Sequence, residues 1–483
     1  MPEIKLLGYG PDLDPTTAGV MTVMSNFVPI RKGWQAQKGL VTVGLPALAA
    51  QCRGVFVATL LNGSRRTFAG TQTAIYEALS GSWTDRSKGG GYVGGPDTYW
   101  RWTQFGDATI ATNKADPMQE STSAAFSDVP TAPKASIVES VQNFVFAFST
   151  NDATFGDSPD RWWCCALGNQ DSWTPSIASQ AATGRFIDAP GEIRAGRSLG
   201  NNIIAYKERA MWIGTYQGPP IIWDWQNVSR DVGAVSQEAV VNIGTAHIFL
   251  GADDFWIYDG SRPQSIGGPI RKWFNSTVDP SYRNKTLGVH DRAEGIVRFH
   301  FVSLSGAGSR DSFVAYNYLT QQWGYGSMGI EAAAEYSAAG ITWAGTATLA
   351  ATWDALPAIA YDSPFWNAGS PIPAVVGTDH VLKSMSDVAA SSGFTLAWLG
   401  DDEMFSTVTR ARLRLLKAPT TAIMTHNYGD SPSDTPTMAS SSSLNDGKFD
   451  ALWSARWHQL VFAFTGDIEL GSLNVTVSAD GGE

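Results

Sequence analysis

Residues 193–225 read IRAGRSLGNNIIAYKERAMWIGTYQGPPIIWDW, four short apolar runs parted by turn residues and closed by a tryptophan. The runs fall at 193–197, 202–206, 210–215 and 221–225, with Gly, Asn and Pro among the residues between them. Those residue types reverse a chain cheaply, so the stretch reads as four consecutive short strands. The plan returns at 240–243, 246–250, 255–258 and 264–266 ahead of Trp273, and again at 287–290, 295–303, 312–318 and 323–326. Four strands in roughly 40–50 residues make one propeller blade.

An aromatic followed by a small polar turn marks the same period. The marks are Trp83, Phe126, Trp173, Trp225, Trp273 and Trp323, at gaps of 43, 47, 52, 48 and 50 residues, and Trp366 lies 43 further on. A hairpin pattern also recurs: a strand ending in Gly70, Gly251 or Gly377, a polar turn, then an apolar strand. Glycine there allows the chain to reverse at positive φ, although any hairpin could look alike. The expectation is an all-β protein: an N-terminal arm and first strands over 1–44, a β-propeller of six or seven blades over 45–387, and a C-terminal β-sandwich over 388–483. Within that last part 387–394 reads as a linker, VTRARLRLL alternates Arg410, Arg412 and Arg414 against Ala411 and Leu413, and the Ser-rich run 429–445 reads as a mobile loop.

With 43% hydrophobic and 16% charged residues, 49 Gly and 24 Pro, the composition fits a turn-rich globular β chain and excludes disorder. A net charge of −11 disfavours gripping phosphates, while allowing the protein to surround DNA without holding it. Three cysteines, Cys52, Cys164 and Cys165, make no disulfide framework and no ligand set, and read as buried thiols. No apolar h-region opens the chain and no run reaches about 18 apolar residues, so neither a signal peptide nor a membrane span is expected.

Motifs for chemistry are missing. No phosphate loop, HExxH, GxSxG or EF-hand occurs, and none of the six histidines has a partner at metal-ligand spacing. Neither cofactor nor metal is therefore expected. His300 sits in an alternating strand, which suits a structural role. Glycosidase chemistry needs two carboxylates about 5–10 Å apart, but the neighbours Asp253 and Asp254 would point to opposite faces. Trp100 with Trp102, Trp223 with Trp225, and Trp162–Trp163 read as blade packing ahead of a sugar platform.

Ser25 to Trp34, SNFVPIRKGW, followed by Lys38–Gly39, resembles the opening of the tail-nozzle or packaged-DNA-stabilisation proteins of short-tailed bacteriophages, where an N-x-x-P-x-x-x-G segment precedes a propeller. Ala69 to Tyr76, Trp83-Thr84-Asp85 and Trp102 to Asn113 are similar to the first blades of those proteins. The resemblance implies a structural, non-catalytic virion protein of the tail, made in the bacterial host cytoplasm. It implies a homo-oligomer, a hexameric tube beneath the tail adaptor or head-to-tail connector ring, with tail fibres or a plug protein docking on it. Such a tube retains packaged DNA and conducts it at ejection without specific binding. The turn Asp401-Asp402-Glu403 would then suit the rim of the lumen, and 388–483 the nozzle tip. The rival expectation is a carbohydrate-binding or carbohydrate-cleaving propeller acting as a receptor-binding tail component. A plainer one is an intracellular interaction hub.

Overall fold

The computed structural model describes residues 4–95, 97–336, 352 and 371–482; Trp366, the last of the aromatic marks, lies outside them. Five four-stranded antiparallel sheets follow in sequence, with innermost strands Val55–Thr59, Arg101–Phe105, Lys134–Val141, Ala195–Leu199 and Val240–Asn242. The sixth is built from Leu287–Asp291, Ile296–Phe301, Arg310–Asn317 and the first half of the long strand Gln322–Tyr336. That strand runs on, and from Ile330 it pairs with Ile372–Gly377. Leu382–Asp387 and then Gly39–Thr42 complete this seventh sheet. Each innermost strand lies against the next, and the seventh returns to Val55–Thr59. The molecule is a seven-bladed β-propeller, its ring sewn shut by a strand that precedes the first blade in sequence.

Between blades lie separate apolar layers. Phe68, Trp100, Trp102 and Phe126 fill the gap between blades one and two, and Phe146, Phe148, Trp162 and Trp223 that between three and four. The paired tryptophans are thus packing residues. Burial of each ring removes a large apolar area from water, at roughly 25 cal/mol per Å².

The recurring hairpin occupies one position in three blades. Residues 68–76, 249–257 and 375–382 form strands two and three of blades one, five and seven. Their glycines do not have positive φ, contrary to the sequence expectation. They are small for a different reason: a Cβ on Gly70 would sit 2.2 Å from Trp100 Cδ1, and one on Gly251 2.9 Å from Trp256 Cδ1. The aromatic marks are mixed. Trp83, Trp225 and Trp323 stand in fourth strands and Phe126 just before one, but Trp173 is in a loop. Trp273 lies on the helix Arg271–Thr277, because the fourth strand of blade five stops after Gln264–Ser265.

Both ends of the chain build the sandwich, so the expected arm is incorporated into the fold. One sheet orders Gly8–Tyr9, Val20–Ser25, Ser391–Leu396, Trp457–Thr465, Thr421–Gly429 and Thr437–Ser443. The other orders Phe27–Ile30, Gly33–Ala36, Glu469–Gly482, Met404–Lys417 and Lys448–Ala455, and meets blade six where Phe27 pairs with Tyr325. The linker of the sequence reading is shorter than expected, since Ser391 already begins a central strand. The Ser-rich loop contains the edge strand Thr437–Ser443, which its alternating small side chains permit. Along Met404–Lys417 the alternation is as read: Ala411 and Leu413 are buried while Arg410, Arg412 and Arg414 are exposed.

The N-x-x-P-x-x-x-G-W segment is the joint between the two halves. Asn26 takes φ 50°; its Oδ1 accepts from Ser327 N at 2.9 Å in blade six and its Nδ2 donates to Ser391 O at 3.3 Å in the sandwich. Pro29 O accepts from the buried Asn317 Nδ2 at 3.1 Å. Gly33, at φ 143°, lies where a Cβ would be 2.2 Å from Leu470 O. Trp34 is 1% exposed and stacks on Phe27 at 6.1 Å between centroids. Beyond it, Asp467 accepts from Lys38 at 2.8 Å, Lys417 at 2.7 Å and Ala389 N at 2.9 Å. Burial alone would raise this carboxyl, and the two ammonium groups overcome that and hold it far below the usual range.

The sandwich core also contains a hydrogen-bonded imidazole pair. His458 Nε2 lies 3.0 Å from the carbonyl of Ser406, so that nitrogen carries the proton and Nδ1 accepts from His426 Nε2 at 2.9 Å. His426 Nδ1 is then bare and has no partner. Burial, with His458 adding to it, pushes His426 down to about 4; burial likewise lowers His458, and takes His247 to about 4 and His300 to about 3. A folded value below the unfolded value of about 6.5 means that the unfolded chain takes up protons first. Stability is therefore full above about pH 6.5 and falls as pH drops towards 4. Thermal melts across that window should show a decline, and His426→Phe should make it shallower. A flat profile would contradict the assignment.

Candidate functional site

The propeller axis is the one place where all seven blades converge, and charged side chains stand among the apolar ones of its walls. A cavity of about 420 Å³ is lined by the innermost strands. A second, of about 460 Å³, opens at the end where the blade-to-blade connections arrive. Charged side chains gather here because inner strands are short and the residues just before them face the axis. Tyr99 and Arg101 stand at the start of the inner strand of blade two, and Gln237 and Glu238 just ahead of that of blade five.

These two blades lie across the ring from each other, and their side chains meet. Arg101 Nε donates to Glu238 Oε1 at 2.7 Å and Nη2 to Oε2 at 3.0 Å, while Nη1 donates to Ser136 O at 2.9 Å. The side chains keep 20% and 18% exposure. Burial works to raise the Glu238 carboxyl, but the Arg101 guanidinium outweighs it and holds the group below its ordinary range. Arg310 makes a second crossing: it donates to Lys285 O and Glu331 O, both at 2.5 Å, and its guanidinium lies 5.7 Å from the Tyr99 ring. Gln237 pairs with Gly196 through both amide atoms, at 2.7 and 2.9 Å. Glu139 accepts from Ser198 and lies 3.4 Å from Arg197.

At the opposite end Glu335 accepts from Arg292 at 2.7 Å and lies 3.5 Å from His290 Nδ1. Burial raises its carboxyl too, and His290 and Arg292 bring it below the ordinary value. Glu331 accepts from Cys52 N at 2.8 Å and from His380 Nδ1 at 2.9 Å. One ion pair and one ring contact thus cross the hub, while the other bonds join neighbouring blades or stay within one. The hub is too narrow for duplex DNA, whose major groove alone is about 12 Å wide.

The residues singled out from the sequence lie elsewhere. Asp401, Asp402 and Glu403 form an exposed turn of the sandwich. Asp401 Oδ1 accepts from Glu403 N at 2.8 Å and Asp402 Oδ1 from Trp457 Nε1 at 2.9 Å. Asp254 is buried, accepting from Phe255 N at 2.8 Å and Ser265 Oγ at 2.6 Å, whereas Asp253 is exposed beside Arg209. The cysteines are free and buried, and burial pushes Cys52 up to about 12 and Cys165 to about 11. Among the described residues no group of three His, Cys, Asp or Glu could hold a metal ion, and no helix is long and apolar enough to cross a membrane. Sequence reading did not find Arg101, Glu238 or Arg310; the available signal was a Gln-Glu pair placed directly before an apolar inner strand.

No protein-family model and no curated protein matches the sequence. Among solved structures the chain is similar to YCF48 bound to D1 peptide, at 10% identity and a TM-score of 0.39, covering 74% of this chain and 97% of that one. It is similar to the N-terminal domain of Nup159 at 10% identity and a TM-score of 0.38, covering 74% and 95%. An exo-β-1,3-galactanase from Phanerochaete chrysosporium gives 8% identity and a TM-score of 0.29, covering 92% and 100%. Likenesses this loose carry nothing about activity.

Proposed function

We propose that this chain is the subunit of a tail nozzle of a short-tailed bacteriophage. It would be a structural, non-catalytic virion protein, assembled as a ring of six beneath the tail adaptor, that retains packaged DNA and conducts it at ejection. The observation that carries the reading is the joint. The segment resembling those proteins, Asn26 to Trp34, spans the boundary between propeller and sandwich, and its Asn, Pro, Gly and Trp each meet a specific requirement there. A motif of that kind fixes how the two halves of a protomer are set, which a ring of fixed geometry requires.

The closed hub adds a condition. With Arg101 and Glu238 joined across the axis, DNA would pass between protomers and not through a propeller. The carbohydrate-cleaving rival is disfavoured by the same residues. A general acid needs a raised carboxyl pKa, and Glu238 and Glu335 are both held low by cationic partners. Adaptor, fibre and plug proteins remain the partners this reading expects, and the virion tail its location. Light scattering of the purified chain, alone and with a candidate adaptor ring, tests it. Rings or tubes of about six copies support the nozzle, and a persistent monomer that binds glycans overturns it.

A further inference from the structure

Two cations of the propeller hub rest on aromatic rings where their neighbours rest on carboxylates. Arg310 opens the third strand of blade six, Arg310–Asn317, and Lys285 closes the short turn Pro280–Lys285 that leads into that blade. The Arg310 guanidinium lies 5.7 Å from the centre of the Tyr99 ring, and Lys285 Nζ 4.5 Å from that of Tyr282. The two residues are tied together, since Arg310 Nε donates to Lys285 O while its Nη1 donates to Glu331 O. Both line the cavity of about 460 Å³ at the end of the hub where the connections arrive.

The carboxylates nearby are engaged elsewhere. Glu331 accepts from Cys52 N and His380, and Glu192 holds Arg194 at 2.9 Å. Glu238 feels the charge of Arg310, but both of its oxygens are bound to Arg101. Arg101 and Arg194 also line the cavity and are matched by these partners, and the exposed Asp97 is the one further acid of the lining. Among the described residues neither Arg310 nor Lys285 makes an ion pair, and Arg310 Nη2 has no hydrogen-bond partner. Arg310 is nevertheless 6% exposed. A guanidinium so far withdrawn from water ordinarily takes a carboxylate or phosphate partner, and here two neutral carbonyls stand in that place.

We propose that this cavity binds a small molecule through its phosphate group, with Arg310 and Lys285 as the charged contacts. Neutral donors line the same space: the Tyr99 hydroxyl from blade two, and the Ser281 hydroxyl and Asn284 amide from the turn. None of these three groups makes a hydrogen bond among the described residues. Donors that arrive from separate elements suit the tetrahedral oxygens of a phosphate, whereas a carboxylate offers two oxygens in one plane. The cavity falls within the roughly 300–1,000 Å³ of small-molecule sites, which leaves room for an organic substituent beside the phosphate. This inference does not rest on the nozzle reading, and the mass of the assembly and the binding measured here fail independently.

The test is isothermal titration calorimetry of the full chain with inorganic phosphate at fixed ionic strength. Phosphate should bind saturably at millimolar concentrations or below, and should raise the melting temperature because it binds the folded chain. Lys285→Gln should weaken binding roughly tenfold, the low end for losing a charged hydrogen bond. Arg310→Gln also gives up contacts to two carbonyls, so a melt without phosphate shows whether it is folded, and the folded variant should lose binding altogether. Arg262→Gln, which removes an exposed cation on a propeller loop, should bind as the unaltered chain does. Absence of saturable binding, an affinity unmoved by Lys285→Gln, or an equal loss in the Arg262 control would overturn the assignment. So would malonate binding as tightly as phosphate, which would make the cavity a site for carboxylates.

Discussion

Replacing Trp34 by alanine is expected to cost about 3–5 kcal/mol, the range for emptying a large aromatic site, and to loosen propeller and sandwich together. Trp34 is 1% exposed and belongs to a single apolar cluster that runs from blades five and six, through Phe255 and Phe299, to Phe394 and Phe464 in the sandwich. Its ring stacks on Phe27, and its Cη2 lies where a Cβ on Gly8 would approach to 3.3 Å, so three segments of the chain lean on one side chain. Neighbouring backbone at Gly33 is pressed against Leu470 and can shift little into the space. Calorimetry should show one transition at a clearly lower temperature. An unchanged melt, or loss of the sandwich transition alone, would mean that Trp34 does not couple the two halves.

Glu77→Ala should be comparably severe. Glu77, 3% exposed, lies between two guanidinium groups: Arg66 at 2.6 Å and Arg86 at 2.8 Å. Arg66, itself 8% exposed, also donates to Ser121 Oγ at 3.1 Å and so ties blade one to blade two. Deleting the carboxylate leaves a buried cation without its counter-charge, at about 3–5 kcal/mol. Replacing both members by apolar residues of similar volume, as in Arg66→Met/Glu77→Leu, should cost much less, because the uncompensated charge is gone. Denaturant unfolding of the single and double variants checks this. A double variant worse than Glu77→Ala would show that the contacts to Ser121, and not the charge, dominate.

Strand content and the blade period were legible in the sequence because they are local. Turn residues such as Asn62–Gly63 and Gln142–Asn143 sit where the hairpins turn, between the strand pairs 55–59 with 65–70 and 134–141 with 144–152. The ring closure was not legible, since Gly39–Thr42 pairs with a strand some 340 residues later and nothing in its four residues announces a partner. For the same reason residues 1–44 read as an arm with first strands of its own, although the strands Val20–Ser25 and Gly33–Ala36 sit inside sheets completed by the other end of the chain. The hub was invisible for a related reason. Arg101 and Glu238 are 137 residues apart, and each alone looks like an ordinary charged residue at a strand end. The Arg410, Arg412, Arg414 alternation was plain, because a strand's two faces follow directly from its local sequence.

Electron microscopy of the assembled particle, formed alone or on the adaptor ring, tests the central claim most directly. The account predicts a ring of about six protomers with one wide axial lumen between them, and with every propeller hub closed by its Arg101–Glu238 strut. A monomer that does not assemble on the adaptor, or a ring whose only continuous channels run through the propeller hubs, would contradict it.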